Sequence, residues 1–491
     1  MAWAFGDGFD CYAATADMIL GYWDSGTITN FTFTAGRFAG SQALVEAASG
    51  SNVVKSSGQN DAVHHIICAF RQTAAISGTT LGFYVQLIDG ATTQCSIVFR
   101  SDGAILLTSG IQTGTVLATY TGAFPVANTW YAFEIEVVIS NTAGWMKVRR
   151  NGNTVEDFTS ALTLDTQLSV NAYANKIQLG GNTLLNAQHM DDLYWRSDAS
   201  SVAWMGDIKC MARAPASDAA VQFSRTPLTM TQTNPATTTA PLINTTARFS
   251  SFTATLDGTI TTAVFVSSAS VTGNMKCAIY SSVAGVPAAV LGSSGPIVAV
   301  AVGNNTFTFT PGVAVTRGQQ IWVGVIGDGG GTWSMQGATS SGATAPMSYA
   351  TFPLPNPTAT TGTQQTAGSI TYNTANNYSS VAEAQQDATT SYVYDSVVGH
   401  SDLYGIAAIA STPLTTFAVT TRAYAIKSDA GTRTMAVQLK SGGSTVASPT
   451  VVLTPSNWQW AWQHYPLDPA TGAAWTAAAV NVAQVGPVVI A

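Results

Sequence analysis

The chain has 491 residues, 9% of them charged and 46% hydrophobic, with a net charge of −7. That length exceeds one ordinary core and sets an expectation of about two to four domains. No basic run is present to neutralise phosphates, which argues against a nucleic-acid partner, and no stretch approaches the roughly 18 apolar residues of a membrane span.

The N-terminal MAWAFGDGFDCYAATADMIL lacks Lys and Arg, and Asp7 and Asp10 interrupt its apolar run, so it does not read as a secretory signal. ADMILGYW and, much later, VAEAQQDA suit helices of about two or three turns at most. Nearly everything else reads as strand. DAVHHIICAF puts His64 and His65 on opposite faces, so a regular strand cannot aim both at one metal. LGFYVQLID, TQCSIVFR, GAILLTS, YAFEIEVVIS and GWMKVRR follow as short runs rich in β-branched and aromatic residues. Asp102-Gly103 and Asn151-Gly152 are hairpin-turn pairs. In YAFEIEVVIS, Phe133, Ile135 and Val137 share one face, and Glu134 and Glu136 the other, which predicts one buried and one solvated side. HMDDLYWRSD, if regular, sends Met190, Asp192 and Tyr194 one way and Asp191, Leu193 and Trp195 the other, so its two aspartates diverge. The cysteines (Cys11, Cys68, Cys95, Cys210, Cys277) are scattered without a C-x-x-C pair, which predicts small buried hydrophobes and no disulfide framework or zinc site.

The composition divides the chain. Residues 1–225 form a first strand-rich segment; the Thr/Pro-rich 226–241 reads as linker or extended edge. Residues 242–350 have their own strand rhythm, 351–375 read as a second linker, and 376–491 are strand-rich again. Regular short strands without helical alternation predict an all-β chain of three β-sandwich, jelly-roll-like domains in series.

GDGFDCYA with GYWD, GRFAGSQAL, the hairpin around WYAFEIEVVIS and GWMKVRRNGNTV, and the closing MDDLYW resemble the laminin G-like, concanavalin A-like domains of tailed-bacteriophage structural proteins. TTSYVYDSVVGHSDLYG, KSDAGTRTMAVQLKSGG, DPATGAAW and AQVGP resemble a C-terminal module that recurs in phage virion proteins. In such proteins the two usually adjoin, which implies that the middle segment is an insertion. That segment resembles small jelly-roll modules of bacterial and phage surface proteins, at GNMKCAIYSSVAGVPAAVL and NNTFTFTPGVAVTRGQQIWVGV.

Several site expectations follow from these likenesses. The jelly-roll β-glucanases share this fold and carry three carboxylates on alternate residues of one strand, for nucleophile and acid/base roles. Here Glu134 and Glu136 hold two such positions and Val138 the third, so the catalytic reading fails and no enzyme is expected. Laminin G-like folds often bind Ca²⁺ at the sandwich rim, which makes Asp24, Asp191 and Asp192 candidate ligands; no other cofactor is expected. DGGGTW, near Asp328, lacks the strand–loop–helix setting of a phosphate cradle and reads as a loop. Trp333 in that loop, and the Trp458, Trp460, Trp462 stripe of WQWAWQH, are candidate glycan or partner contacts, the stripe fitting a core or subunit interface better. Trp322 in IWVGV reads as core.

The resemblance implies a non-enzymatic structural protein of a tailed-phage virion, assembled in the host cytoplasm. It would contact other virion proteins and copies of itself, with a trimer the favoured order, in a tail, fibre or baseplate or, alternatively, as capsid decoration or head fibre. A carbohydrate-binding adhesin that recognises host surface glycans is the second reading, and a glycan hydrolase the third.

Overall fold

The computed structural model describes residues 3–491 except 48, 183–186, 201–202, 226–227, 232–237, 243, 255–256, 268–270, 301–302, 329–332, 366, 375, 384, 387–390 and 410–414. The chain is all-β: beyond strands, the described residues hold one short α-helix, Ala477–Val482, and two 3-10 turns, Thr15–Ile19 and Tyr378–Ser380. The first 3-10 turn falls inside ADMILGYW, whereas the α-helix is capped by Thr476, whose hydroxyl accepts the Ala479 N–H, a signal that lies outside either predicted helix. No helix among the described residues is long and apolar enough to cross a membrane.

Two compact units form. One comprises Met1–Ala214, Glu383–Asp387 and Val397–Ala491; the other, Pro215–Ala382 and Ala388–Ser396. The first and last sequence segments therefore build a single unit, rather than two separate domains in series. The first Thr-rich stretch takes its extended alternative, and the second differs from the linker expected. Leu228–Thr231 pairs with Ala367–Thr374, and both Thr238–Leu242 and Thr360–Gln365 pair with Trp333–Pro346, all in one twelve-stranded sheet. Threonine is β-branched and suits a pleated strand as well as it suits a polar coil, so composition alone misassigns these stretches.

The second unit packs two cores. One gathers Phe252, Phe265, Phe307, Phe309 and the aliphatic face of Gln320–Gly327; the other gathers Phe249, Tyr280, Trp322 and Phe352. Trp322 is buried there, as a strand residue should be.

In the first unit, two antiparallel sheets enclose one core. The first sheet runs Phe158–Thr159, Trp145–Arg150, Tyr131–Val138, Val63–Gln72, Gln188–Asp198, Gln42–Glu46, Phe31–Ala35, with Trp3–Asp7 also paired to Gln188–Asp198. The second runs Val116–Tyr120, Ile105–Ser109, Thr92–Arg100, Leu81–Asp89, Ala174–Gly180, Asn52–Asp61, Ser25–Thr27. Phe133, Ile135 and Val137 face Val85, Leu87, Ile97 and Phe99 inside, the alternation read from the sequence. Asn151 and Gly152 both have positive φ, 53° and 73°, the primed turn that suits a twisted hairpin. All five cysteines are free; Cys68, Cys95 and Cys277 are buried, and Cys11 and Cys210 partly so.

The C-terminal part of this unit adds a sheet in which Arg433–Ser441 pairs with Gln484–Val489, Ser444–Ala447 and Val451–Leu453. It also adds a two-stranded ribbon, Val419–Ala425 with Gln459–Tyr465. One ribbon face carries Ala423, Ala425 and Ala461 onto Met435, Val437 and Leu453. The other carries Tyr424, Trp460 and Trp462 into the core of the N-terminal sandwich. A period-two strand buried on both faces needs apolar residues at every position, which WQWAW nearly supplies.

Candidate functional site

Three features of the first unit concentrate its chemistry: an outer sheet face crossed by a strap, a charged seam, and a cleft.

The strap is the extended segment 203–214, which crosses the outer face of the sheet containing Tyr131–Val138 and Gln188–Asp198. Its apolar side chains Met205 and Ile208 pack on Ala4, Ile67 and Tyr194. Its backbone is held by carboxylates. Glu134 accepts the Met205 and Gly206 N–H groups at 2.7 and 2.8 Å, and Asp192 accepts the Cys210 N–H at 2.7 Å. Asp207 forms a bidentate pair with Arg37 at 2.6 and 2.5 Å. Hydrogen bonds to a charged acceptor are each worth about 1.5–3 kcal/mol, so these contacts together clamp the strap.

Glu134 and Glu136 are therefore buried, not solvated as the alternation suggested. Periodicity identifies the face, but it cannot reveal a distant segment that covers it. Both carboxylates meet His65: Nε2 bonds Glu136 and Nδ1 lies 3.8 Å from Glu134. Burial alone would lower the His65 pKa, yet the two adjacent glutamates raise it above the usual histidine value. Trp204 packs edge-on against His65, and the Arg149 guanidinium lies 4.4 Å from the Trp204 ring centre. His64 faces inward, as alternation requires: Trp195 Nε1–H donates to its Nδ1 at 3.2 Å, and its Nε2 faces the Asp61 carbonyl at 3.0 Å. Burial pushes His64 down to about 4. The two histidines do not share a ligand site.

HMDDLYWRSD departs from a regular strand. Its register shifts between Asp191 and Tyr194, and Asp192 takes a φ of 52°. The extra residue of this bulge keeps Met190, Leu193 and Trp195 all inside and brings both aspartates to the outer face. They do not diverge. Asp191 accepts the Arg37 backbone N–H at 2.8 Å, and Asp192 lies 3.7 Å from the Arg37 guanidinium. Burial, then the Asp191 charge, pushes Asp192 up to about 7. Asp191 is raised by burial too, and burial carries Asp10, which accepts the Gln42 N–H, up to about 6.

The predicted rim-calcium set does not assemble. Asp24 is engaged elsewhere, with Lys55 Nζ at 2.7 Å and the Ser56 N–H at 2.7 Å. Asp191 and Asp192 spend oxygens on N–H donors and Arg37, and among the described residues no group of three or more His, Cys, Asp or Glu side chains is placed to hold a metal. Two carboxylates that share their oxygens with backbone N–H groups and Arg37 do not supply the six to eight oxygens that calcium asks for.

At the seam, Asp7 is buried and accepts from the Phe9 N–H at 3.0 Å, the Tyr12 hydroxyl at 2.7 Å and Trp23 Nε1–H at 2.8 Å. Arg422, reaching over from the ribbon, lies 3.5 Å from Asp7. It donates to the Gly6 carbonyl at 3.2 Å and sits 3.4 Å from the Tyr22 ring centre. Beside it, Trp460 and Trp462 donate their indole N–H groups to the Asp17 and Gly21 carbonyls at 3.0 and 2.9 Å. Tyr424 donates to Asp17 at 3.2 Å. Trp458 precedes the strand and stacks on Tyr424 at 5.0 Å. The tryptophan stripe thus faces an intramolecular seam and is not a free platform. Trp333 opens the strand Trp333–Pro346, opposite Leu242; its side chain, like the glycines of DGGGTW, lies outside the described residues.

Sequence reading missed Arg422 altogether. The only available signal was a lone arginine in an otherwise uncharged strand, TTRAYA.

Next to the seam opens a cleft of about 440 Å³, lined among the described residues by Trp460, Trp462, Gln459, Gln463, His464 and Pro449 and others, none of them Asp, Glu, Lys or Arg. His464 Nδ1 meets the Thr420 hydroxyl at 2.9 Å, while its Nε2 has no partner. Burial pushes His464 down to about 4, so the ring is neutral near pH 7.

No protein-family profile matches the chain, and no curated protein matches it either. Among solved structures, the carbohydrate esterase of the Shiga toxin-encoding bacteriophage phi24B is 13% identical, covering 40% of this chain and 97% of that one at a TM-score of 0.26. Domain 4 of an extracellular arabinanase from Geobacillus stearothermophilus, solved with arabinotriose, is 17% identical, covering 40% and 95% at a TM-score of 0.25. The binding domain of botulinum neurotoxin DC is 14% identical, and the match covers 34% of this chain and 41% of that one at a TM-score of 0.25.

Proposed function

We propose that the chain is a non-enzymatic structural subunit of a tailed-phage particle, acting through protein–protein contacts with copies of itself and with other particle proteins. The observation that carries the non-enzymatic part is the fate of Glu134 and Glu136. They are the only carboxylates on alternate positions of the strand where jelly-roll hydrolases carry theirs, and they are buried beneath the strap with His65. A hydrolytic pair needs room between the carboxylates for sugar and water; here backbone amides and an imidazole fill that room.

The particle reading rests on the order of the sequence motifs and on a surface poor in charge. At one end of the N-terminal sandwich Ile111, Val116, Leu168 and Val170 are exposed, Val170 by 95%. Apolar groups left in water at a sheet edge suit burial against a neighbouring subunit. A tail, fibre or baseplate position is proposed ahead of capsid decoration, with a homotrimer as the favoured assembly.

Mass spectrometry of purified particles tests this, with stoichiometric copies of the chain as the expected result and its absence as the overturning one. Release of reducing ends from host polysaccharide, lost in an E134Q/E136Q double variant, would overturn the non-enzymatic part.

A further inference from the structure

We infer that the apolar tip of the N-terminal sandwich, formed by the turn 110–115 and the loop 167–171, is where copies of this chain meet about a symmetry axis. This rests on the self-association proposed above and gives it a place. One residue organises both pieces. Gln94 is fully buried, and its backbone carbonyl accepts the Gly110 N–H at 2.9 Å. Its side-chain oxygen accepts the Leu168 and Ser169 N–H groups at 2.7 and 2.9 Å. Its amide nitrogen donates to the Asn171 and Tyr173 carbonyls at 2.7 and 2.9 Å. Asp89 adds to the clamp, accepting from the Ser169 hydroxyl at 2.7 Å and the Asn171 side-chain amide at 3.0 Å. In the turn, the Gln112 side chain accepts from Gln86 Nε2 at 2.7 Å. A Cβ at Gly110, which has a φ of 67°, would meet Leu168 at 3.2 Å, so the two pieces touch.

This scaffold presents aliphatic side chains to water. Ile111, Val116 and Leu168 are exposed, Val170 almost wholly, and none of them joins the sandwich core. The clamp fixes the loop in advance, so little ordering entropy remains to be lost on association. Apolar groups held rigidly outward suit the centre of an interface. Charge selects the occupant. A symmetry axis sets a patch against its own copies, where a charge at the centre would meet its own sign. Residues 103–133 and 166–175 hold no Asp, Glu, Lys, Arg or His. The flanks, in contrast, carry opposite signs. The loop leaves the side of the first sheet, where Leu164 bridges Gly144 and the exposed Asp165 follows. It enters the second sheet at Ala174–Gly180, which holds Lys176. Rotation about an axis turns one flank of a copy toward the opposite flank of the next, Asp165 toward Lys176. An apolar centre with a complementary polar rim is the anatomy of a contact between copies.

Light scattering during size exclusion of the full chain at about 100 μM tests this. The wild-type protein should give a whole multiple of the single-chain mass. V170D should give the single-chain mass with an unchanged melting temperature, because the side chain it replaces lies outside the core. V170C should form intermolecular disulfides on mild oxidation. The wild-type protein, whose cysteines are buried or partly so, should form none, and neither should V155C, at an exposed site outside the tip. A wild-type oligomer that persists in V170D, or that yields no V170C cross-link, would overturn this surface and leave self-association standing. A wild-type chain that stays single at this concentration would overturn both.

Discussion

Asp7 and Asp192 are both buried carboxylates of one sandwich, yet their surroundings differ. Asp7 receives three hydrogen bonds, from the Phe9 amide, Tyr12 and Trp23, and has Arg422 at 3.5 Å. Asp192 has the Cys210 amide and a share of Arg37 at 3.7 Å, while one of its oxygens makes no hydrogen bond and Asp191 and Asp10 crowd it. The first site stores stability in charge complementarity. The second stores it in a proton. Removing a partner should therefore damage the first, while removing the charge should leave the second intact or improve it.

The largest effect is expected at the seam. R422M leaves Asp7 buried beside its neutral donors without its paired guanidinium, and breaking a buried pair from one side costs about 3–5 kcal/mol. D7N alone should cost a similar amount, because Arg422 is then left beneath the ribbon. The double variant D7N/R422M should recover much of the loss. Urea denaturation of the four proteins gives the coupling directly, and additive losses would break the claim that the two residues act as a pair.

Next comes the pH dependence of the strap. The groups around Asp192 are Asp191, Asp10, Arg37, Asp207 and the Cys68 and Cys210 thiols. Its folded pKa, near 7, lies above the unfolded value, so the folded state binds the proton more tightly. That contribution is fully present below the unfolded pKa and is lost as pH rises through 7. Asp10 near 6, Glu46 near 7 and the raised His65 act in the same direction. His64 and His464, near 4, oppose it: their contribution is present above the ordinary histidine range and is lost as pH falls through 4. The three raised carboxylates outweigh the two lowered histidines, so stability should fall as pH rises from about 5 to 8. D192N keeps an acceptor for Cys210 and removes the charge, so it should stabilise the protein at pH 8 by about 2 kcal/mol and flatten the slope between pH 5 and 7. An unchanged slope would show that the Asp192 proton is not what the strap depends on.

The sequence showed the faces of these elements far better than what covers them. Alternation placed Phe133, Ile135 and Val137 inside, and Asn151-Gly152 gave the hairpin, because both are local consequences of a period of two and of backbone sterics. Burial of Glu134 and Glu136 depends on a strap some seventy residues away, whose residues have no periodicity of their own. The bulge at Asp192 was hidden for another reason. A non-glycine left-handed residue has no compositional mark, and one inserted position reverses every side chain beyond it. The Thr-rich strands of the second unit read as linkers because they lack apolar alternation.

Glu134 tests the strap from its other end. E134Q retains one acceptor but replaces the second with a donor that faces the Met205 or Gly206 amide, so about 1–2 kcal/mol should be lost. Hydrogen exchange at those two amides should accelerate while exchange in Tyr131–Val138 stays slow. Uniform acceleration across the sheet would mean that the strap and the sandwich open as one body.

The smallest effect should come from Asp24, which separates charge pairing from burial. Its ion pair with Lys55 is short, at 2.7 Å, but the Asp24 side chain is 41% exposed while that of Lys55 is 3% exposed. Water screens the carboxylate, so the Coulomb gain is discounted and D24N should cost only about 0.5 kcal/mol. Lys55 keeps the Tyr22 carbonyl at 2.6 Å and lies 4.3 Å from the Trp462 ring centre, so its ammonium is not abandoned when Asp24 loses its charge. Salt supplies the discriminating measurement. The D24N loss should vanish in about 1 M NaCl, where the screening length falls to roughly 3 Å, whereas the R422M loss should persist because no ion reaches Asp7. If both losses fade together, exposure is not what separates the two pairs, and the seam is held by packing of the tryptophans rather than by its buried charges.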